Sequence, residues 1–125
     1  MTAVRILMIE DNPQNRYLAT FLLHARGWAV LQAEDGPTGI ALAAKEKPDL
    51  VLLDIQLPGM DGYAVAQALR ACKTLPHLPI VAVTSYAMPG DRERCLQSGC
   101  DGYIEKPIDP ATFADEVARF LGPRP

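Results

Sequence analysis

The sequence predicts a doubly wound α/β domain, in which a parallel β-sheet carries helices on both faces. Five short apolar segments alternate along the chain with five segments whose apolar residues recur at helical spacing. Strands that alternate with helices form βαβ units, and right-handed crossovers then place helices on both faces of the sheet. A typical domain needs about 100–150 residues. We therefore expect the 125 residues to form one domain over 1–125, with no output domain.

The predicted strands are short apolar runs, and the first of them is almost apolar throughout, as a strand covered on both faces is. They span residues 4–9, 28–33, 50–53, 79–84 and 102–105. The segment 50–53 is the most strongly apolar of these, so we expect it to lie at the centre of the sheet.

Each predicted helix begins at a residue that suits a first turn. The expected caps are Asn12, Asp35, Asp61 and Asp109, and the expected first-turn prolines are Pro13, Pro37, Pro89 and Pro110. The residues expected to face the core are Leu18, Phe21, Leu22 and Ala25 in the first helix and Cys95 and Leu96 in the fourth.

The composition argues against nucleic-acid binding and membrane insertion. Twelve Lys and Arg residues against fifteen Asp and Glu residues give a net charge of −3, whereas nucleic-acid binders show a basic surplus on one face. A membrane span needs about 18 consecutive apolar residues, and no run in this chain approaches that length. The three cysteines form neither an even set nor a CxxC pair, so we expect a cytoplasmic location.

Reactive side chains follow the predicted strands. Glu10 and Asp11 come after the first strand, Asp54 after the third, Thr84 at the end of the fourth and Lys106 after the fifth. Ligands of such sheets bind outside the carboxyl ends of the strands, so these side chains are expected to converge there. Unpaired carboxylates at close range repel one another and require a cation. An all-oxygen ligand set suits Mg²⁺ or Mn²⁺.

This combination points to phosphoryl transfer. Carboxylates, a divalent cation and a lysine are the parts that this chemistry uses for positioning and charge neutralisation. A carboxylate can itself be the nucleophile and form an aspartyl-phosphate. Asp54 is the expected phosphoacceptor because it ends the most buried strand.

The whole chain resembles the receiver domain of two-component response regulators. The motifs that carry the resemblance are Glu10-Asp11-Asn12, Asp54 followed by residues 57–62, Thr84-Ser85, and Tyr103 with Lys106-Pro107. The resemblance implies the strand order 2-1-3-4-5. Two segments, residues 10–15 at the opening of the first helix and residues 84–88, are similar to DivK-type stand-alone receivers and to the receivers of hybrid kinases.

For the site, the resemblance implies that Asp54 accepts phosphate from a phosphohistidine on a sensor histidine kinase or a histidine phosphotransfer protein. Mg²⁺ would be held by Glu10, Asp11, Asp54 and the backbone carbonyl of Gln56. One departure from the common pattern is Glu10, where an Asp is more usual, and we expect metal binding to survive it.

The resemblance also implies roles for residues of the last two strands. Thr84 and Lys106 would bind the phosphoryl oxygens, and the Lys106–Pro107 peptide bond would be cis. Tyr103 would be an aromatic switch that turns inward as Thr84 moves. We also expect Tyr86 to impede the hydrolytic water, with Gln56 modulating the reaction, so that the phosphoryl group is long-lived.

Two partner surfaces are implied. A downstream protein would bind the surface formed by the fourth helix, fifth strand and fifth helix, with Arg92 and Tyr103. The kinase would dock on Asn15, Arg16, Ala19, Pro107 and Ile108. We expect a monomer or a weak dimer.

Other functions remain as alternatives. A receiver domain excised from a hybrid kinase would carry the same residues. A haloacid-dehalogenase-type phosphatase would need an Asp where this chain has Gln56, so we do not expect a turnover enzyme. A flavodoxin-like FMN carrier would need phosphate donors where Glu10 and Asp11 stand. A phosphate-independent adaptor would not need the five site residues.

Overall fold

Strands and helices alternate through the computed structural model, which describes residues 4–72, 75, 78–85 and 88–121. The elements are β1 (Arg5–Ile9), α1 (Pro13–His24), β2 (Ala29–Ala33), α2 (Gly36–Glu46), β3 (Leu50–Asp54), α3 (Gly62–Ala71), β4 (Ile80–Thr84), α4 (Asp91–Gln97), β5 (Gly102–Glu105) and α5 (Phe113–Leu121). The predicted fold class is therefore confirmed.

Within the described residues, the strands form one parallel sheet in the order β2-β1-β3-β4-β5. Strand β3 is central and buried at every residue. Strand order reverses beside β1, so the carboxyl ends of β1 and β3 border the crevice where such sheets bind ligands. The register places Ile9 opposite Leu53 and Asp54 opposite Val83.

The helices cover the two faces of the sheet in separate groups. Alternate residues of β1 point to opposite faces, so Leu7 and Ile9 join a core with α2, α3 and α4. Ile6 and Met8 join the second core, beneath α1 and α5. Both faces of the sheet are therefore buried, which explains why the strands are apolar at nearly every position.

Three predicted caps are confirmed. The Asn12 side chain accepts hydrogen bonds from the amides of residues 14 and 15, at 2.9 and 3.1 Å. Asp35 accepts from Thr38 N at 2.8 Å, and Asp61 accepts from Ala64 N at 2.9 Å. These bonds satisfy amides that have no partner within the helix.

The starts of the last two helices differ from the prediction. Helix α4 begins at Asp91 rather than Pro89, because the left-handed Gly90 (φ 96°) precedes it. Asp109 does not cap α5 directly. Its side chain accepts from Ala111 N and its carbonyl from Phe113 N, so it stabilises a turn that precedes the helix.

The apolar face predicted for α1 is correct at Leu22, which is half-buried against the core, but the rest of the face is rotated from the predicted one. Ala19 and Leu23 are the buried residues, whereas Phe21 is 61% exposed and Leu18 36% exposed. Both sets have helical spacing, so periodicity could not choose between them. Leu96 in α4 is likewise 44% exposed, while Cys95 is buried as predicted.

In the part of the chain that the structure describes, no helix combines the length and the apolar character required to cross a bilayer.

Candidate functional site

Three carboxylates meet at the carboxyl ends of the central strands. Glu10, Asp11 and Asp54 each offer an oxygen atom, and these atoms lie within 4.8 Å of one another. The pairing of Ile9 with Leu53 places the residues that follow β1 alongside Asp54. Glu10 and Asp54 are buried, at 5% and 4% exposure, whereas Asp11 is exposed. The predicted convergence of these residues is therefore present in the structure.

Lys106 supplies a cation to the buried pair. Its Nζ lies 2.7 Å from Glu10 Oε1 and 3.4 Å from Asp54 Oδ2. The backbone amide of Lys106 donates to the carbonyl of Thr84 at 2.8 Å, which ties the ends of β4 and β5 together. The Lys106–Pro107 peptide bond is cis, as the resemblance implied.

The electrostatics of the cluster leave an excess of negative charge. Burial raises the pKa of the Glu10 carboxyl, and the neighbouring Asp54 carboxyl raises it further, while Lys106 opposes the rise. Glu10 Oε2 is buried and has no hydrogen-bond partner among the described residues. A buried carboxylate oxygen without a donor is costly unless a cation reaches it. The all-oxygen set therefore fits a hard divalent cation.

The loop after β3 positions the Asp54 carboxylate through a backbone hydrogen bond. Gln56 N donates to Asp54 Oδ1 at 2.9 Å, and Gly62 N donates to the Ile55 carbonyl at 2.9 Å. A Cβ on Gly62 would lie 2.5 Å from Ile55 Cα and 2.6 Å from the Asp54 carbonyl oxygen. Only glycine allows this close approach of α3 to the end of β3.

Ser85 is a site residue for which the sequence predicted no role. Its Oγ donates to Gln56 Oε1 at 2.6 Å, so a hydrogen bond joins the loops after β3 and β4 beside Asp54. Thr84, at 0% exposure, is buried next to it. The position of Ser85 directly after Thr84, at a strand end, is the signal that could have identified it.

A cavity of about 310 Å³ opens from the carboxylates towards α1 and the β5–α5 loop. Its lining includes Glu10, Asp54, Ser85 and Lys106, and also Asn15, Leu18, Ala19, Pro107, Ile108 and Phe113. The site is therefore continuous with an apolar groove beside the first helix.

Other predicted residues lie outside this cluster. Tyr103 is half-buried in the middle of β5, opposite Ala82, and packs against the core beneath α3 and α4. Arg92 is exposed on α4. Tyr86 lies outside the described residues.

Two residues predicted for kinase docking expose little surface. Ala19 is only 3% exposed because α1 packs on the sheet through it. The Arg16 side chain is only 12% exposed, because it lies against the loop that carries Glu10 and Asp11. Leu18 and Phe21 are exposed on α1 instead.

The sequence matches the response regulator receiver domain over residues 6–118. This chain belongs to that family. Its receiver fold is shared with solved structures of known receivers, and its place is in two-component signalling.

Relatives of this receiver match it over nearly their whole length. The polar-differentiation response regulator DivK of Brucella anthropi is 39% identical over 117 residues, covering 94% of this chain and 95% of DivK. The receiver domain of the sensor histidine kinase PA1611 from Pseudomonas aeruginosa PAO1 superposes with a TM-score of 0.88 and 34% identity, covering 98% of this chain and all of that one. That crystal structure has a magnesium ion coordinated in the active site cleft. The BeF3-activated N-terminal receiver domain of Klebsiella pneumoniae RstA has a TM-score of 0.85 and 32% identity, covering 95% and 99% of the two chains.

Proposed function

We propose that this receiver accepts a phosphoryl group on Asp54, from a phosphohistidine of a sensor histidine kinase or of a histidine phosphotransfer protein. The observation that carries the proposal is the arrangement around Asp54. Its carboxylate is buried among two further acidic residues and lies 3.4 Å from the Lys106 ammonium. A buried carboxylate facing a cation is suited to act as a nucleophile towards an anionic phosphoryl group.

The residues that would hold Mg²⁺ are Glu10, Asp11, Asp54 and the backbone carbonyl of Gln56. When bound, the ion supplies positive charge that neutralises the carboxylates and the phosphoryl oxygens. The assignment is supported by the oxygen donor set and by Glu10 Oε2, which has no hydrogen-bond partner in the described part of the chain. Mn²⁺ prefers the same ligands and is proposed as a substitute.

In the transfer, an Asp54 carboxylate oxygen forms a bond to phosphorus while the P–N bond of the phosphohistidine breaks. The electron pair of that bond stays on the imidazole of the donor. Lys106 donates to a phosphoryl oxygen, and the Thr84 hydroxyl donates to another. The phosphorylated side chain carries about two negative charges on its phosphoryl oxygens, so Lys106 is expected to leave Glu10 for the phosphoryl group.

The output of the phosphorylated receiver is proposed to be the surface of α4, β5 and α5. Helix α4 has seven residues and buries only Cys95, while Arg94 lies over the Tyr63 ring at 4.1 Å. A helix with so few buried contacts can shift at low cost. We propose that Thr84 and Tyr103 rearrange together and that Arg92 contacts a downstream protein. The two states are populations whose ratio phosphorylation changes.

Docking of the phosphodonor is proposed at the groove beside α1. Asn15, Leu18, Pro107 and Ile108 line the cavity that leads to Asp54, and Phe21 is exposed on the same helix. A partner helix with apolar residues on one face would suit this groove. Ala19 lines the same cavity although only 3% of it is exposed, and its part in docking stays a prediction.

A receiver that belongs to a hybrid kinase is the second candidate, because the PA1611 match is the receiver domain of a sensor histidine kinase.

A phosphatase is disfavoured by Gln56, whose side chain is hydrogen-bonded to Ser85 and supplies no acid or base. We propose a regulator rather than a turnover enzyme. The single-domain organisation over 1–125, the monomeric or weakly dimeric state and the cytoplasmic location stay predictions.

The proposal is tested by incubating the protein with acetyl phosphate and Mg²⁺ and then measuring its intact mass. We expect one added phosphoryl group in the wild type, none in Asp54→Asn, and none when EDTA removes the metal. Asp61→Asn is the matched control, since Asp61 is an exposed carboxylate nearby and asparagine keeps its capping role. Phosphorylation of Asp54→Asn at the wild-type level would disprove the assignment.

A further inference from the structure

Arg16 of α1 lies against the loop that carries the acidic pair. Its Nη1 donates to the backbone carbonyl of Glu10 at 2.9 Å and to that of Asp11 at 3.2 Å. Its Nη2 lies 3.4 Å from Glu34 Oε1, which holds the guanidinium from the other side. The side chain is only 12% exposed, although it stands at the start of a surface helix.

The loop depends on this side chain for much of its support. Glu10 N is bonded to the carbonyl of Ala33, which fixes the β2 side of the loop. Asn12 caps α1 and fixes the helix side. Between these two points the Asp11 side chain is exposed. Among the described residues, the hydrogen bond from Arg16 is the one contact that restrains the Asp11 carbonyl.

We propose that Arg16 is a positioning residue for the metal site: it braces the loop so that the Glu10 and Asp11 carboxylates are already oriented for a divalent cation. This inference rests on the proposed function in one respect, namely that the carboxylates bind Mg²⁺. This positioning role differs from the direct kinase contact that the family resemblance implied for Arg16.

Electrostatics and bracing make opposite predictions for Arg16. A guanidinium bound to the loop that carries Glu10 and Asp11 repels a divalent cation held by their carboxylates, so charge alone predicts that its removal tightens metal binding. A brace reduces the freedom that the loop must lose on binding, so its removal weakens metal binding. The direction in which the metal dissociation constant changes therefore distinguishes charge repulsion from bracing.

The experiment measures Mn²⁺ binding by electron paramagnetic resonance, with Mg²⁺ as competitor, for the wild type, Arg16→Ala and Arg16→Lys. We expect Arg16→Ala to raise the dissociation constant about tenfold, the lower end of the range for residues that orient ligands. Arg16→Lys keeps the charge, but its single ammonium lacks the planar guanidinium that holds the two carbonyls through Nη1 and Glu34 through Nη2, so an intermediate loss is expected.

The matched control is Arg26→Ala, which removes the same charge beyond the opposite end of α1, where Arg26 pairs with Asp115. We expect its dissociation constant to equal that of the wild type. Thermal unfolding reports whether each variant is folded, and Arg16→Lys carries the test if Arg16→Ala is not. A second readout is the metal concentration that gives half-maximal phosphorylation, which should rise in Arg16→Lys while the plateau rate is kept.

An unchanged or smaller dissociation constant in both Arg16 variants would overturn the inference and leave the proposed function intact. A wild-type protein that binds neither Mn²⁺ nor Mg²⁺ would overturn both. Weaker binding in the Arg16 variants, with Arg26→Ala unchanged, supports the brace.

Discussion

Lys106 is paired with Glu10 more closely than with Asp54: its Nζ lies 2.7 Å from Glu10 Oε1 and 3.4 Å from Asp54 Oδ2. The lysine thus offsets part of the negative charge of the two buried carboxylates. A divalent cation bound to the same carboxylates would meet a positive charge already in place, so the two compete.

Replacing Lys106 by methionine is expected to destabilise the metal-free protein by about 3 kcal/mol, because two buried carboxylates lose their partner. Added Mg²⁺ should then raise the melting temperature more than in the wild type, because stabilisation grows with affinity for the folded state. Thermal unfolding with and without Mg²⁺ measures both effects. Lys45→Met, at an exposed position of α2, is the control, and equal Mg²⁺ shifts in all three proteins would contradict the prediction.

Replacing Tyr86 by alanine is expected to accelerate dephosphorylation about tenfold, equivalent to about 1.4 kcal/mol in the barrier. The reason is the one given from the sequence: a bulky ring two residues after Thr84 impedes the hydrolytic water. The decay of phosphorylated protein, followed by intact mass, measures the rate. Tyr17→Ala removes an exposed ring from α1 and should leave the rate unchanged. Equal rates for Tyr86→Ala and the wild type would show the idea to be wrong.

Gly62→Ala should lower the free energy of unfolding by about 3 kcal/mol, because the new methyl group would overlap the backbone of Asp54 and Ile55. Phosphorylation should also slow, since the backbone that must give way carries the phosphoacceptor. The control is Gly102→Ala at the other end of the sheet, where a Cβ meets the Phe120 ring. It should lose stability but keep the phosphorylation rate of the folded protein; equal slowing in both variants would show no special role for Gly62.

Arg70→Ala is expected to cost about 2 kcal/mol of stability. The Arg70 guanidinium donates to the carbonyls of Gly99 and Leu78, at 2.7 and 2.5 Å, and to the carboxylate of Asp101. The part-buried bond to Leu78 contributes about 1 kcal/mol, and the two exposed bonds about 0.5 kcal/mol each because water competes for them. Urea unfolding measures the change, and Arg92→Ala, on exposed α4, should change stability by less than about 0.5 kcal/mol. A loss no larger than that in Arg70→Ala would contradict the prediction.

Stability is expected to decline at alkaline pH because of Cys100. Burial raises the pKa of its thiol from 9.0 to about 12. Between these values the unfolded chain releases the proton while the folded chain keeps it, so the unfolded state binds fewer protons and stability falls as pH rises. The contribution is present below pH 9 and is lost towards pH 12, by at most about 1.4 kcal/mol per pH unit. Urea unfolding from pH 8 to 11 should show a shallower decline in Cys100→Ala than in the wild type. Val117→Ala, on the other face of the sheet, removes a buried side chain that does not titrate and should keep the wild-type slope. Identical slopes in Cys100→Ala and the wild type would contradict the prediction.

The strands were predictable because burial on both faces leaves little freedom in their composition. Residues 50–53 were expected at the centre of the sheet, and β3 is buried at every position. The caps at Asn12, Asp35 and Asp61 were predictable for a similarly local reason, since each side chain reaches an amide two or three residues away. Strand order came from the family resemblance, because local patterns carry no information on which strands pair.

The face of α1 was not predictable from periodicity. Leu18 and Phe21 have the same helical spacing as the residues that are buried, and the phase of the helix is decided by its packing against β1 and α5. The family resemblance implied a docking role for Ala19, and the packing of α1 leaves it only 3% exposed.

By itself, the sequence determined the alternation of strands and helices and the convergence of Glu10, Asp11, Asp54, Thr84 and Lys106, because parallel strands bring their carboxyl ends to one edge. Only the tertiary structure decided that Lys106 lies closer to Glu10 than to Asp54 and that Ser85 donates a hydrogen bond to Gln56. It also decided that Arg16 donates to the backbone of the acidic loop. The physical reason is that strand register positions the backbone to within one residue. The direction taken by a long or hydroxylated side chain depends instead on which donors and acceptors the neighbouring elements place within its reach.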